Sequence, residues 1–138
     1  MGLTIIDAGV LIGFLDKSDV HHDASIRELE HARRRGDELA IPASALAESM
    51  VAPARSGEPS LEVVREFVDR LPVFVADLDA EIAMIAAQIR AVHGQKLKLP
   101  DALVVATAIN LEADVLVNSD RGWPTSMKLG FDGTIITI

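Results

Sequence analysis

The sequence predicts an α/β fold of three layers, a central, mainly parallel sheet of about five strands with helices on both faces. Two observations predict it. Short runs rich in Val, Ile and Leu alternate with longer helical stretches along the whole chain, the pattern of repeated βα units. Those runs are apolar without alternation, as strands buried on both faces are. The loops between them are short, which suits a compact domain, and the crossovers should be right-handed.

Taken in order, Leu3-Thr4-Ile5-Ile6-Asp7 is the first strand, with its acid at the C-terminal edge, where open α/β sheets gather ligands. Ala8 to Leu15 has Leu11, Phe14 and Leu15 at helical spacing. His22 to Arg35 is an amphipathic helix that ends in three arginines and Gly36, a favourable C-terminus. Leu39 to Pro42 is the second strand. A helix over Ala43 to Met50 follows, with Ser44 as a candidate cap, and Pro53 and Gly57 punctuate what comes next. Ser60 opens a further helix through Leu71, and Val73 to Ala76 is the third strand. Asp79 caps a long helix whose apolar stripe is Ile82, Ile85, Ile89 and Val92, ending at His93-Gly94. Gln95 to Leu99 reads as a linker. Pro100, at a first helical position, opens a helix that runs to about Glu112 and is apolar almost all round, so it should be buried. Asp114 to Asn118 is the fourth strand and Thr134 to Ile138 the fifth.

A length of 138 residues suggests one domain spanning 1–138, with no repeat or low-complexity tract. The absence of cysteine fits a reducing cytoplasm, and neither a signal peptide nor a membrane span is visible. A net charge of −8 argues against holding nucleic acid by a broad basic face. One Trp, no Tyr and four Phe argue against an aromatic platform for single strands.

The acids carry the chemistry. Asp7 and Asp120 follow apolar strands directly, and Glu48 and Asp101 lie on helices that can start or pass at the same sheet edge. Asp7 and Asp120 meet only if the first and fourth strands are neighbours. Four carboxylates in one pocket cannot all stay ionised without a cation. Oxygen ligands with no His or Cys point to Mg²⁺ or Mn²⁺ rather than zinc. Such a pocket can activate water and clamp a phosphodiester. Each acid also has a plainer reading: a helix cap for Asp7, a solvated helix residue for Glu48, a first-turn aspartate for Asp101, a turn aspartate for Asp120. Asp114 should lie at the far edge of the sheet.

The stretch Ile5-Ile6-Asp7-Ala8-Gly9-Val10-Leu11-Ile12-Gly13-Phe14-Leu15-Asp16 resembles the opening of a PIN-domain nuclease. Ala45-Leu46-Ala47-Glu48, Leu99-Pro100-Asp101-Ala102-Leu103-Val104-Val105-Ala106-Thr107-Ala108 and Val115-Leu116-Val117-Asn118-Ser119-Asp120-Arg121-Gly122-Trp123 resemble that family's second, third and fourth motifs. The segment Asp19-Val20-His21-His22-Asp23-Ala24 resembles the VapC toxins of toxin–antitoxin pairs. The resemblance implies a PIN fold and an endoribonuclease that uses Mg²⁺, or Mn²⁺ in its place, to activate water, leaving a 5′-phosphate and a 3′-hydroxyl. It implies Asp7, Glu48, Asp101 and Asp120 as the catalytic, metal-binding set, with Asp7 and Asp101 the direct ligands. It also implies RNA as substrate, a cognate antitoxin as partner, and a homodimer or higher toxin–antitoxin assembly. Asn118, Ser119, Arg121 and Lys98 are the candidate substrate contacts, Asn118 or Ser119 by orienting an acid or water, the two cations by meeting phosphates. Gly9 departs from the family, where Ser or Asn is common, and Asn118 stands where Thr is common. The rival reading is a catalytically weak PIN-fold module that acts only through a protein partner. A phosphotransfer receiver is disfavoured, because no Lys follows the third or fourth strand.

Overall fold

The computed structural model describes residues 2–138. Its five strands, β1 (Leu3–Ile6), β2 (Glu38–Pro42), β3 (Val73–Ala76), β4 (Val115–Asn118) and β5 (Thr134–Thr137), form one sheet in the order β3-β2-β1-β4-β5. Every pairing is parallel. Parallel neighbours need crossover connections, and the helices supply them. α1 (Ala8–Leu15) and α2 (His22–Arg35) join β1 to β2. α3 (Ala43–Ser56) and α4 (Glu58–Arg70) join β2 to β3. α5 (Ala80–His93), a 3₁₀ turn at Gly94–Lys96 and α6 (Leu99–Asn110) join β3 to β4, and α7 (Ser126–Leu129) joins β4 to β5.

The apolar character of the central strands has its expected cause. Ile5, Ile6, Ala40, Ile41, Leu116 and Val117 are buried in one core with Val10, Leu11, Val105 and Ala106 of the helices. α6 contributes six buried residues between Ala102 and Ala108, so its nearly uniform apolarity reflects burial. After β1 the chain winds first toward β2 and β3, and later returns on the other side of β1 as β4. The resulting switch point lies between β1 and β4, with Ile6 in register with Val117. Crevices for ligands form at the carboxyl ends of strands at such a point.

Several elements depart from the sequence expectation. α3 does not stop at Met50 but runs to Ser56 with Pro53 inside it; Gly57, at φ 115°, is the true break. Ser44 is no cap, since Pro42 occupies that position and no side chain caps the helix. α4 starts at Glu58, with Pro59 in its first turn, ahead of Ser60. Leu99 opens α6, so Pro100 is its second residue. Val92 is 78% exposed, so the buried side of α5 is Ile82, Ala86 and Ile89. α7 was not expected: a single helical turn, with the Thr125 hydroxyl accepting from the Lys128 N–H and Gly130 left-handed at its end. Asp114 does lie at the amino end of the sheet, where its carboxylate accepts from the Leu3 N–H.

Candidate active site

Asp7 stands one residue beyond β1 and is both strand-end acid and helix cap. Its Oδ1 accepts from the Val10 N–H at 3.0 Å, which caps α1, and its Oδ2 accepts from the Ser119 N–H at 3.2 Å, just beyond β4. The Asp7 N–H in turn donates to the Val117 carbonyl at 3.1 Å. The carboxylate is therefore fixed by backbone on both sides of the switch point. Asp120 follows at the end of β4 with its Oδ1 in a tight turn, accepting from the Gly122 N–H at 2.8 Å. Asp101 is the third residue of α6, and Glu48 the sixth of α3.

These four acids line one cavity of about 200 Å³ with Ser119 and Gly9. The expectation that they share a pocket follows from β1 and β4 being neighbours. Among the described residues, no three His, Asp or Glu side chains close tightly enough to make a finished metal cage. Like charges favour that spreading. The surroundings grade from inside to outside: Asp7 is buried, Asp101 half-buried, Glu48 and Asp120 exposed. Burial, with the charges of Asp101 and Glu48 added, pushes the Asp7 carboxyl up to about 6, against backbone hydrogen bonds that pull it down. Burial and the charge of Asp101 raise Glu48. Burial and the charge of Asp120 raise Asp101, while Trp123 and Lys98 offset part of the rise. A cavity of oxygen donors that resist sharing negative charge fits a hard divalent cation, and its lining includes no His.

The other expected site residues divide. Ser119 lines the cavity. Lys98 stands at the head of α6, with its charge felt at Asp101, and Arg121 is exposed beside Asp120, so both belong to the rim. Asn118 is fully buried. Its Nδ2 donates to the Asp120 carbonyl at 2.9 Å and its Oδ1 accepts from the Thr137 hydroxyl at 2.6 Å. Asn118 is thus bonded within the fold, where its amide holds the turn that carries Asp120. Trp123 was not singled out by the sequence. Its indole N–H faces Asp101, sealed from solvent and without a well-formed hydrogen bond. Its place three residues after Asp120, as the chain's one Trp, was the available signal.

A larger recess, of about 1060 Å³, opens elsewhere, between α2, α4 and the β2–β3 side of the sheet. Its walls are mostly apolar, with Leu29, Val68 and Phe74 among them, and its charges of both signs do not converge. Size does not make it the site of the chemistry; the converging acids lie in the smaller cavity.

Compared with known families, residues 4–125 match the model described as a PIN domain. The chain belongs to the PIN-domain family. Among solved structures, this PIN domain is similar to VapBC2 from Rickettsia felis bound to a DNA fragment from its promoter, with a TM-score of 0.71, 18% identity, and 97% of this chain and 96% of that one covered. It is also similar to FitAcB from Neisseria gonorrhoeae, at TM-score 0.65, 21% identity, and 96% of each chain. A third is VapC20 of Mycobacterium tuberculosis, a sarcin–ricin loop cleaving toxin, at TM-score 0.69, 16% identity, and 86% and 90% of the two chains. At these identities the likeness is one of fold. No curated protein matches the sequence. No helix among the described residues is long and apolar enough to cross a membrane.

Proposed function

We propose that this PIN domain, read as one domain over the whole chain, is an endoribonuclease dependent on Mg²⁺ or Mn²⁺, and the toxin of a toxin–antitoxin pair. The observation that carries the chemistry is the convergence of Asp7, Glu48, Asp101 and Asp120 on one small cavity at the switch point. Asp7 and Asp101, the more enclosed pair, would hold the cation directly; Glu48 and Asp120 would hold it through water or hold a second ion. When bound, the cation supplies the positive charge that relieves these acids, polarises a phosphodiester and acidifies water. Asp7 does not turn in the process, because N–H groups from two elements grip its two oxygens. Lys98 and Arg121 on the rim draw RNA phosphates to an otherwise acidic protein. Glu48, exposed and with a raised pKa, is suited to take the proton that the attacking water gives up. The partner reading is supported by likeness to the VapBC and FitAcB complexes, and calls for a cognate antitoxin and a homodimeric or larger assembly.

The test is cleavage of total RNA by purified chain with Mg²⁺ or Mn²⁺, against EDTA and against Asp101→Asn. Discrete cuts lost in both controls support the nuclease. Cuts that persist in Asp101→Asn overturn the assignment of Asp101. Folded chain that binds Mn²⁺ yet cuts no RNA, including a sarcin–ricin loop substrate, favours the rival module that acts through a protein partner alone.

A further inference from the structure

The chain has 13 Lys and Arg against 21 Asp and Glu, yet two stretches run against that excess. Residues 90–98 hold Arg90, Lys96 and Lys98, and residues 121–128 hold Arg121 and Lys128; neither stretch contains an acid. The fold sets the two side by side. His93 Nε2, at the end of α5, donates to the Lys128 carbonyl of α7 at 3.1 Å. Trp123 lies against Asp101, three residues beyond Lys98. The Arg90 guanidinium is engaged, donating to the Gly94 carbonyl. That leaves Lys96, Lys98, Arg121 and Lys128, all exposed and, among the described residues, none within ion-pair distance of an acid.

The strip these cations form begins at the acidic cavity. Lys98 and Arg121 stand on its rim, and Lys96 and Lys128 carry positive charge outward along the 3₁₀ turn and α7. Leu97 and Leu129, both buried, pin those two segments to the core. Leu99 and Met127, 51% and 88% exposed, set apolar surface among the cations. The far side of the sheet has the opposite sign. After β3, its edge strand there, come Asp77, Asp79 and Glu81, all exposed and with no cation between them. A polyanion entering the cavity is therefore attracted on the β4–β5 side and repelled on the β3 side.

We infer that this strip is a one-sided track for the single-stranded flank of an RNA whose scissile bond lies in the cavity, with Lys96 and Lys128 holding phosphates beyond the rim and Leu99 and Met127 meeting bases. The inference rests on the reading of the cavity as a ribonuclease site. It adds the direction in which the substrate leaves that site and two cations that act outside it. Separate cations along an exposed strip match phosphates that recur along a strand. An acidic peptide could use the same charges, but the continuity of the strip with the cavity favours the nucleic acid.

The experiment uses the full chain, with Asp101→Asn as the parent for binding so that the RNA stays whole. The probes are a labelled single-stranded RNA of mixed sequence and a labelled poly-glutamate peptide, each titrated over a range of salt. Lys96→Gln/Lys128→Gln removes the outer strip. Lys17→Gln/Arg27→Gln removes the same charge from exposed positions after α1 and on α2. Each lost contact to a single-strand phosphate lowers the slope of log K against log salt by about 0.7. The strip pair should therefore flatten the RNA slope by about 1.4, and the control pair should leave it unchanged. In the cleaving chain the strip pair should raise KM and leave kcat in place, the mark of binding remote from the reacting bond. Equal effects of the two pairs would overturn the track and leave net charge alone. A strip pair that weakens poly-glutamate and not RNA would overturn it in favour of a protein-docking surface. RNA held through the strip but never cut would uphold the track while the nuclease reading falls. Folded parent that binds no RNA would overturn both.

Discussion

Asp7 is enclosed by β1, α1 and β4, and its carboxyl sits at about 6 against an ordinary value of 3.8 because burial disfavours its charge. Between those two values the native state holds more proton than the unfolded chain. Stability of the metal-free protein should therefore fall as pH rises through that window and level off above it. The shift corresponds to roughly 3 kcal/mol from Asp7. Urea unfolding from pH 4 to 7 should show that decline in wild type and a flatter profile in Asp7→Asn; Glu48 and Asp101, raised in the same sense, keep part of the slope. Asn118 offers a second check. Its amide ties β4 to β5 through Thr137 and holds the Asp120 turn. Asn118→Ala should cost about 2–3 kcal/mol in urea unfolding and weaken Mn²⁺ binding through Asp120. Asp7, Asp101 and Asp120 were legible in the sequence because each stands at an element end beside an apolar run, and Glu48, inside α3, because Ala45-Leu46-Ala47-Glu48 resembles a family motif. The inward turn of Asn118 and the approach of Trp123 to Asp101 were not, since neither side chain's direction leaves a periodic trace.

At the scale of elements, local signals did well where they act within one turn. Asp79 caps α5 through the Ile82 N–H at 2.9 Å, as its position before the apolar stripe suggested. Asp79→Ala should cost about 1 kcal/mol in thermal or urea unfolding. Gly36, left-handed at φ 77°, ends α2 where the arginines said it would. Signals that depend on a neighbour's packing did less well. Pro53 looked like a helix terminator, yet α3 continues through it, held by its packing against α1, α4 and α6. Pro53 cannot donate to the carbonyl of Ser49, so Pro53→Ala should stabilise the protein by about 1 kcal/mol, read as a higher Tm. α7 escaped notice because a single turn has no period to detect; only Thr125 and Gly130 at its ends marked it.

With the proposed cation in the acidic cavity, metal, protons and stability are coupled across the whole molecule. A cation bound by native carboxylates and not by the unfolded chain raises the Tm. Binding must displace the protons that Asp7, Glu48 and Asp101 retain, so Mn²⁺ should raise the Tm clearly at pH 7.5, much less at pH 5, and not at all with EDTA present. Scanning calorimetry at the two pH values checks this. The sequence by itself determined the alternation of strands and helices, the burial of α6, the acids at the strand ends and the family motifs, because hydrophobic period and capping act over a few neighbouring residues. Tertiary structure alone decided the order β3-β2-β1-β4-β5, the placing of Asp7 against Ser119 and the inward turn of Asn118. Those contacts join residues far apart in the chain, 112 positions in the case of Asp7 and Ser119, and they come into being only when strands from the two halves of the sheet meet.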